Sequence, residues 1–379
     1  MSPAPVLEWT EDDQTRSARW QSENRWPAPR RLVVADDTMT ADQAIRLASE
    51  GTGLIWRGDF QNARQLLMAM DRRIRSRKLL NKPDTPLPES FHLVRQARSQ
   101  RARSLGMLLI PVEADHRVSL RRAPDVAVAC QEAYGDQDAS YVLPLTELLG
   151  VISAHEWRKK GVLVPGLNGR IHAHYGVFAP VRGEYLQLMQ KVPLPADRAL
   201  AFDLGTGTGV LAAILLARGM QHVVATDTSP RALACARENL SRLGFSSRTT
   251  LLESSALPDE QASLIVVNPP WLPGKPTTLL EQAIYDPGNQ MLKSVLGHAG
   301  THLKPGGEVW LILSDLAEHL MLRTRETLLE WIHEGGLKVI EKLDTRPVHP
   351  KSQDATDPLA SARAAEVTSL WRLGLDADR

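Results

Sequence analysis

The sequence predicts an α/β protein with a Rossmann-like sheet in its C-terminal part and a smaller α/β domain before it. Three observations predict this class. Short apolar runs alternate with segments of helical period from Arg31 onward. The glycine-rich turn Gly205–Gly209 stands between an apolar strand and an apolar helix. A further apolar strand about 60 residues later ends in the turn Asn268-Pro269-Pro270-Trp271.

The length of 379 residues predicts two domains, because single domains usually contain about 100–200 residues. We expect residues 1–30 to form an irregular leader, since they are rich in tryptophan, proline and charge. Residues 31–160 are predicted to form a basic accessory domain for substrate recognition, whose parallel strands lie near 31–36, 53–56 and 107–112. Residues 161–379 are predicted to form the larger domain, which carries both turns.

The composition is that of a globular protein with a real core, at 43% hydrophobic and 23% charged residues. The two cysteines, Cys130 and Cys235, supply neither a disulfide framework nor the spacing of a metal site. The first residues lack a signal-peptide pattern, and no apolar run approaches the 20 or so residues of a membrane helix. The sequence therefore predicts a cytoplasmic protein without a metal or a membrane partner.

The formal net charge is only +1, but the charge is unevenly distributed. Residues 71–122 contain thirteen lysines and arginines against five acidic residues. Such a stretch is what a phosphate-binding face needs. A solvated pair of helices is the alternative interpretation.

The turn from Gly205 to Gly209 has the composition of a cofactor loop at the carboxyl end of a strand. Asp203 ends that strand, and Asp227 ends the next one about 20 residues after the glycines, where an acid can accept hydrogen bonds from ribose hydroxyls. The third glycine is Gly209, one residue earlier than the dinucleotide fingerprint requires, which disfavours a nicotinamide enzyme. The alternative is a glycine turn that binds nothing. The predicted contacts are Asp203, Gly205, Thr206, Gly207, Gly209 and Asp227.

The turn Asn268-Pro269-Pro270-Trp271 presents a different set of groups. Its two prolines remove two backbone donors and stiffen the chain. What remains is a fixed carbonyl, a side-chain amide and an aromatic face, which together can hold a planar group that bears an amine. A proline-stiffened turn that only ends a core strand is the alternative.

Four ordered motifs resemble those of the class I S-adenosylmethionine-dependent methyltransferases. They are the segments 203–210, 225–233, 237–239 and 267–271, and the resemblance covers roughly Tyr175–Leu313. More narrowly, they resemble the small-domain branch that includes release-factor glutamine methyltransferases and ribosomal RNA guanine-N2 methyltransferases. Two departures stand out: Ser254-Ser255 replaces the acidic residue that this branch often carries near the adenine, and Trp271 replaces the more frequent tyrosine or phenylalanine.

The resemblance implies a class I methyltransferase sheet and S-adenosylmethionine as the cofactor. Asp203 and the glycines would border the methionine part of the cofactor, Asp227 the ribose, and Ser255 the adenine. The implied catalytic residues are Asn268, Pro269, Pro270 and Trp271. The Asn268 oxygen and the Pro269 carbonyl would accept N–H bonds of a planar nitrogen, while Trp271 stacks on it.

Two substrates share this kind of clamp. The basic accessory domain favours a nucleobase exocyclic amine in RNA, with ribosomal RNA or a ribosomal particle as the partner. The alternative is a glutamine amide in a protein. A third alternative, from a different class, is a non-catalytic module that binds a nucleotide or S-adenosylmethionine.

Overall fold

The computed structural model describes residues 5–76, 85–181, 183–347 and 357–376. The chain divides into two compact units: unit 1 is Met1–Thr85 with Glu89–Glu156, and unit 2 is Pro86–Pro88 with Trp157–Arg379. The division after Glu156 comes four residues before the boundary that the sequence predicts. In the parts of the chain that the structure describes, none of the helices is long and apolar enough to cross a membrane.

Unit 1 contains a six-stranded mixed sheet in the order β1-β2-β6-β5-β4-β3. Strands β3, β4 and β5 are parallel, whereas β6 runs antiparallel to β5 and β1 antiparallel to β2. The elements up to the end of this unit are β1 (Val6–Glu11), β2 (Gln14–Trp20), β3 (Arg31–Ala35), α1 (Ala41–Ser49), β4 (Thr52–Trp56), α2 (Phe60–Ser76), α3 (Leu87–Leu105), β5 (Leu108–Val112), α4 (Ala127–Tyr134), β6 (Tyr141–Pro144) and α5 (Leu145–Lys160).

The irregular leader predicted for residues 1–30 is wrong for residues 6–20, which form the hairpin of β1 and β2. The hairpin buries one face of each strand, with Leu7 and Trp9 on β1 and Ala18 and Trp20 on β2. Its apolar residues alternate with polar ones at period 2, which is the strand pattern. The hairpin and β6 also make the sheet mixed, where the sequence predicts parallel strands.

Unit 2 contains a seven-stranded sheet in the order β11-β10-β9-β12-β13-β15-β14. Strands β9 to β13 are parallel and β15 is antiparallel to both of its neighbours. A two-stranded sheet precedes it. The elements are β7 (Val162–Leu163), β8 (Arg170–Ile171), α6 (Glu184–Lys191), β9 (Leu200–Leu204), α7 (Val210–Ala217), β10 (His222–Asp227), α8 (Pro230–Arg242), β11 (Thr249–Glu253), β12 (Ala262–Val267), α9 (Gln290–Ala299), β13 (Leu303–Ser314), α10 (Leu316–His319), α11 (Arg325–Glu334), β14 (Leu337–Thr345), α12 (Ala360–Ala365) and β15 (Thr368–Leu375).

The burial of the residues of this sheet is explained by its position between two layers of helices. Every residue of β12 is buried, as expected for a central parallel strand covered on both faces. One core cluster includes α6 and α7, and the other includes α9 and α11. The α/β class, the Rossmann-like sheet and the smaller α/β domain before it are as the sequence predicts.

Unit 1 also contains a buried carboxyl group, Glu147 on α5, which is 4% exposed. Its oxygens accept hydrogen bonds from the backbone N–H of Glu23 at 2.9 Å and from the Tyr134 hydroxyl at 3.3 Å. Burial nevertheless raises its pKa to about 7, because the charged form loses its hydration. A carboxyl whose pKa is higher in the folded state stabilises that state most at low pH, and this contribution disappears as the pH rises through 7.

We therefore expect the stability of unit 1 to fall by roughly 2–3 kcal/mol between pH 5 and pH 8 because of Glu147 alone. The variant Glu147→Gln should remove this part of the pH dependence. Hydrogen exchange of the β2 amides across this pH range measures it, with the exposed Glu50→Gln as the matched control. Equal pH profiles for Glu147→Gln and the native chain would contradict the prediction.

Candidate functional site

The candidate site lies at the carboxyl ends of three neighbouring strands of unit 2. In the register of the sheet, Leu204 of β9 lies between Thr226 of β10 and Val267 of β12. The next residues along the three strands are therefore Gly205, Asp227 and Asn268, at one level of the sheet. The structure thus places the predicted cofactor loop directly beside the predicted amine clamp, at the edge where open α/β sheets bind ligands.

Asp203 of β9 holds the glycine loop in place through hydrogen bonds. Its side chain is fully buried, and its Oδ2 accepts hydrogen bonds from the Thr206 hydroxyl at 2.7 Å and from the Ala212 N–H at 3.0 Å. Burial raises the pKa of Asp203 to about 6, against the opposing effect of these two donors. Its other oxygen, Oδ1, has no hydrogen-bond partner in the described chain. A buried carboxylate oxygen without a donor is unfavourable, so this atom suits a ligand that brings an N–H group.

The three glycines of the loop all have positive φ angles, which favour glycine. They differ in what a side chain would meet. A Cβ on Gly209 would lie 3.2 Å from Ala236 of α8, and one on Gly205 would lie 3.1 Å from the methyl carbon of Met291. A Cβ on Gly207 would meet nothing within 4 Å, so this glycine faces the open side of the loop, where a ligand can approach.

Asp227, at the end of the neighbouring strand β10, is hydrogen-bonded to the glycine loop. Its Oδ2 accepts a hydrogen bond from the Gly207 N–H at 3.0 Å, and its Oδ1 accepts one from the Ser229 N–H at 2.9 Å. The Ser254 N–H in turn donates to the Asp227 carbonyl at 3.1 Å, which brings the end of β11 beside Asp227. Ser255 is exposed in the turn that follows, and among the described residues no hydrogen bond joins it to the glycine loop.

The Asn-Pro-Pro-Trp turn has a contact that the sequence did not predict. The indole N–H of Trp271 donates a hydrogen bond to Asn268 Oδ1 at 2.9 Å. Trp271 is half-buried and packs against the core clusters on both faces of the sheet. The indole therefore fixes the orientation of the Asn268 amide, with its oxygen held toward the ring. A carbonyl oxygen has two lone pairs, so one remains for another donor.

Sequence reasoning missed Asn239, which positions the glycine loop. This fully buried side chain donates hydrogen bonds to the carbonyls of Thr208 and His172, both at 3.1 Å, and accepts one from the His172 N–H at 2.8 Å. It joins α8, the glycine loop and the segment before α6. The only sequence indication was its place in the motif Arg237-Glu238-Asn239. Among the described residues, no group of histidine, cysteine or acidic side chains is placed to hold a metal ion.

The family comparison falls on this part of the chain. Residues 168–339 match the family model described as "Methyltransferase small domain", a segment of less than half the chain. A release factor glutamine methyltransferase of Cereibacter sphaeroides is 39% identical over 128 residues, which are 30% of this chain and 46% of that protein. A ribosomal protein L11 methyltransferase of Symbiobacterium thermophilum is 30% identical over 152 residues, which are 40% of this chain and 41% of that protein.

The chain spans about half the length of the curated relatives that it matches, or less. Among solved structures, a methyltransferase from Pyrococcus furiosus is similar to this chain with a TM-score of 0.41 and 20% identity. That match covers 60% of this chain and 98% of the other.

Proposed function

We propose that the protein is an S-adenosylmethionine-dependent N-methyltransferase. The premise is that residues 168–339, which match the family model, belong to the methyltransferase small-domain family. The acceptor is a planar sp2 nitrogen. The observation that carries this proposal is the register of β10, β9 and β12, which aligns Asp227, Gly205 and Asn268 at one edge. A ligand on the glycine loop and a planar group held at Asn268 would therefore be neighbours.

The residues of the loop fit S-adenosylmethionine, which supplies an activated methyl group on a sulfonium when it is bound. Among the described residues Asp203 Oδ1 is a buried acceptor without a donor, and the amino group of a ligand would satisfy it. Gly207 leaves open space on its side of the loop. Within the described chain each Asp227 oxygen accepts one hydrogen bond, so both retain capacity for ribose hydroxyls. Ser255 remains the proposed neighbour of the adenine.

The proposed roles of the Asn-Pro-Pro-Trp turn are to align the acceptor nitrogen and to increase its electron density. The nitrogen lone pair of an amide or aromatic amine is delocalised, which makes it a weak nucleophile. Hydrogen bonds from its two N–H groups to Asn268 Oδ1 and to the Pro269 carbonyl return electron density to the nitrogen. Pro269 and Pro270 have no N–H of their own, so the turn offers acceptors with no competing backbone donors.

Trp271 has two proposed roles. Its ring stacks on the planar acceptor group, as the resemblance implies. Its N–H donates a hydrogen bond to Asn268 Oδ1 and so keeps the amide from turning by 180°, which would exchange the positions of the oxygen and the NH2 group. An amide turned by 180° would present N–H donors to the N–H groups of the substrate and repel them.

For the substrate, we propose a glutamine side-chain amide in a protein. Two relatives that match part of this chain are named release factor glutamine methyltransferase and ribosomal protein L11 methyltransferase; both names specify a protein substrate, and the first specifies glutamine. A carboxamide and a nucleobase exocyclic amine both present two N–H groups on one nitrogen, so the proposal of glutamine rests on the relatives.

A nucleobase amine in RNA is the second candidate, and the basic stretch at residues 71–122 favours it. Five of its arginines form ion pairs within unit 1, which reduces the positive potential available to a phosphate backbone. These pairs are Arg73–Asp42, Arg75–Asp71, Arg101–Asp71, Arg121–Asp59 and Arg122–Asp59. Arg77, Lys78 and Lys82 lie outside the described residues. The RNA substrate remains a prediction that the following experiment tests.

The experiment incubates the purified protein and S-adenosylmethionine labelled in its methyl group with an extract of cells that lack the gene. Parallel samples are then treated with ribonuclease or with protease. Label that survives ribonuclease and is released by protease supports the protein substrate. Label that ribonuclease releases supports RNA, and no transfer to either fraction would contradict an N-methyltransferase.

The variant Trp271→Phe tests the hydrogen bond to Asn268, because phenylalanine keeps an aromatic ring but has no N–H. We expect a transfer rate about 3- to 10-fold lower, as the loss of one neutral hydrogen bond would give. Cofactor affinity should stay unchanged. Initial rates of label transfer and calorimetric titration with S-adenosylhomocysteine measure the two quantities.

The control is Trp331→Phe, which changes a tryptophan of α11 whose ring lies under Lys293 Nζ. If Trp271 acts through Asn268, the rate should not fall further when Trp271→Phe is added to Asn268→Ala. An additive loss in the double variant would show that Trp271 acts on the substrate alone.

A further inference from the structure

Arg323 is a buried arginine with an unpaired edge. It lies between α10 and α11 and is 5% exposed. Its Nη1 donates a hydrogen bond to Asn289 Oδ1 at 3.0 Å, which fixes one end of the guanidinium. Its Nε and Nη2 have no hydrogen-bond partner in the described chain. These two nitrogens form one edge of the planar group, the arrangement that binds both oxygens of a carboxylate.

The position of Arg323 relates it to the candidate site. Strands β12 and β13 are neighbours, with Val267 opposite Leu311, so the segments that follow them leave the same edge of the sheet. One carries the Asn-Pro-Pro-Trp turn and the other carries Arg323. Asn289, the partner of Arg323, donates its N–H to the Asp286 carbonyl, and the Asp286 N–H donates to the carbonyl of Leu272, which follows Trp271.

The two acidic side chains whose charges act on Arg323, Glu318 and Asp286, already have other partners. Glu318 forms a bidentate pair with Arg325, at 2.9 Å to each oxygen. The Asp286 oxygens accept hydrogen bonds from the N–H groups of Met291 and Leu292 at the start of α9. A guanidinium keeps its charge when buried, so two unpaired donor nitrogens are costly unless a ligand supplies acceptors.

We propose that the Nε–Nη2 edge of Arg323 binds a carboxylate of the acceptor substrate, at a subsite beside the amine clamp. This inference rests on the proposed function and extends it to the substrate: a protein segment with an acidic side chain near the methylated amide. Met321, two residues before Arg323, is 61% exposed, whereas the two Arg323 nitrogens themselves are covered from solvent, so binding of the carboxylate requires this surface segment to move.

A carboxylate fits this subsite better than a phosphate does. Arg323 and Arg325 are already matched in charge by Asp286 and Glu318, so a monoanion leaves less uncompensated charge than a phosphate dianion. One guanidinium edge also satisfies both oxygens of a carboxylate but leaves a third phosphate oxygen without a donor in the described residues around it.

The binding test uses the full chain and does not depend on catalysis. The arginine Nε–H resonances are recorded by NMR while sodium acetate or inorganic phosphate is added, with sodium chloride as the ionic-strength control. We expect acetate to shift one Nε–H resonance that is missing from the spectrum of Arg323→Lys. A shift with phosphate alone would overturn the carboxylate in favour of a phosphate ligand, and no shift with either would overturn the subsite.

The transfer test uses Arg323→Lys and Arg323→Gln with the labelled extract as the acceptor. We expect both variants to transfer label about 10- to 100-fold more slowly at limiting acceptor, as the loss of a charge-assisted bidentate contact would give, and to bind S-adenosylhomocysteine normally. The matched control is Arg325→Lys, since Arg325 already has a carboxylate partner.

A purely structural role of Arg323 predicts a different result. Both variants would then lower the melting temperature and weaken cofactor binding, with no change in response to acceptor concentration, and this would overturn the subsite. A native chain that shows the acetate shift but transfers no label would instead contradict the proposed function and leave the oxyanion site supported. The two failures are therefore distinguishable.

Discussion

Replacing Asn268 by alanine is expected to lower the rate of methyl transfer about 10²- to 10³-fold, the range for losing one preorganised acceptor or donor at a reacting group. The Asn268 side chain accepts a hydrogen bond from Trp271, and among the described residues no hydrogen bond joins it to the glycine loop. Affinity for S-adenosylhomocysteine should therefore remain within about 2-fold of the native value. Single-turnover label transfer and calorimetry measure the two quantities.

The variant Asn268→Asp is the matched comparison, because it keeps an acceptor oxygen of the same size and places a charge beside the acceptor group. We expect it to retain more activity than Asn268→Ala. Equal loss of transfer and cofactor binding in Asn268→Ala would contradict the role of this residue, since it would indicate a collapsed site.

The second large effect is expected on cofactor affinity when Asp227 is replaced. Its carboxylate accepts the N–H groups of Gly207 and Ser229, and it is the proposed ribose contact. The variant Asp227→Ala removes an acceptor from the glycine loop and the contact with the ligand together, each a charge-assisted hydrogen bond. We expect the dissociation constant of S-adenosylhomocysteine to rise about 100-fold, as measured by calorimetry.

The exposed Asp259→Ala serves as the control for the loss of one negative charge, and it should leave the dissociation constant unchanged. Reduced nicotinamide adenine dinucleotide is the control ligand for the native chain, and its fluorescence should not change on mixing. A cofactor affinity of Asp227→Ala equal to that of the native chain would exclude the proposed loop site.

Much of unit 2 could be predicted because its determinants are local in sequence. The apolar runs of β9, β10 and β12, the glycines with positive φ and the Ser229 cap before Pro230 each specify a short segment directly. The resemblance drawn from these motifs is confirmed by the family match at residues 168–339. In unit 1, the β1–β2 hairpin was missed because its short strands carry charged residues between the buried tryptophans.

The location of the candidate residues at strand ends was predictable from the sequence, but not all of their contacts. Asp203, Asp227 and Asn268 were each found from their place at a strand end. The bond from Trp271 to Asn268 depends on the side-chain conformation within a turn, which sequence spacing does not specify. Arg323 is 55 residues beyond Asn268, and its burial and its unpaired edge arise only from the packing of the segments after β12 and β13.

The most direct test of the central claim is the chemical identity of the methylated group. The labelled acceptor is digested completely and analysed by mass spectrometry beside synthetic standards. We predict that the label is found in N5-methylglutamine when the native chain is used and is nearly absent with Asn268→Ala. Label in a methylated nucleoside would contradict the protein substrate, and label on an oxygen or carbon atom would contradict N-methyl transfer at the Asn268 turn altogether.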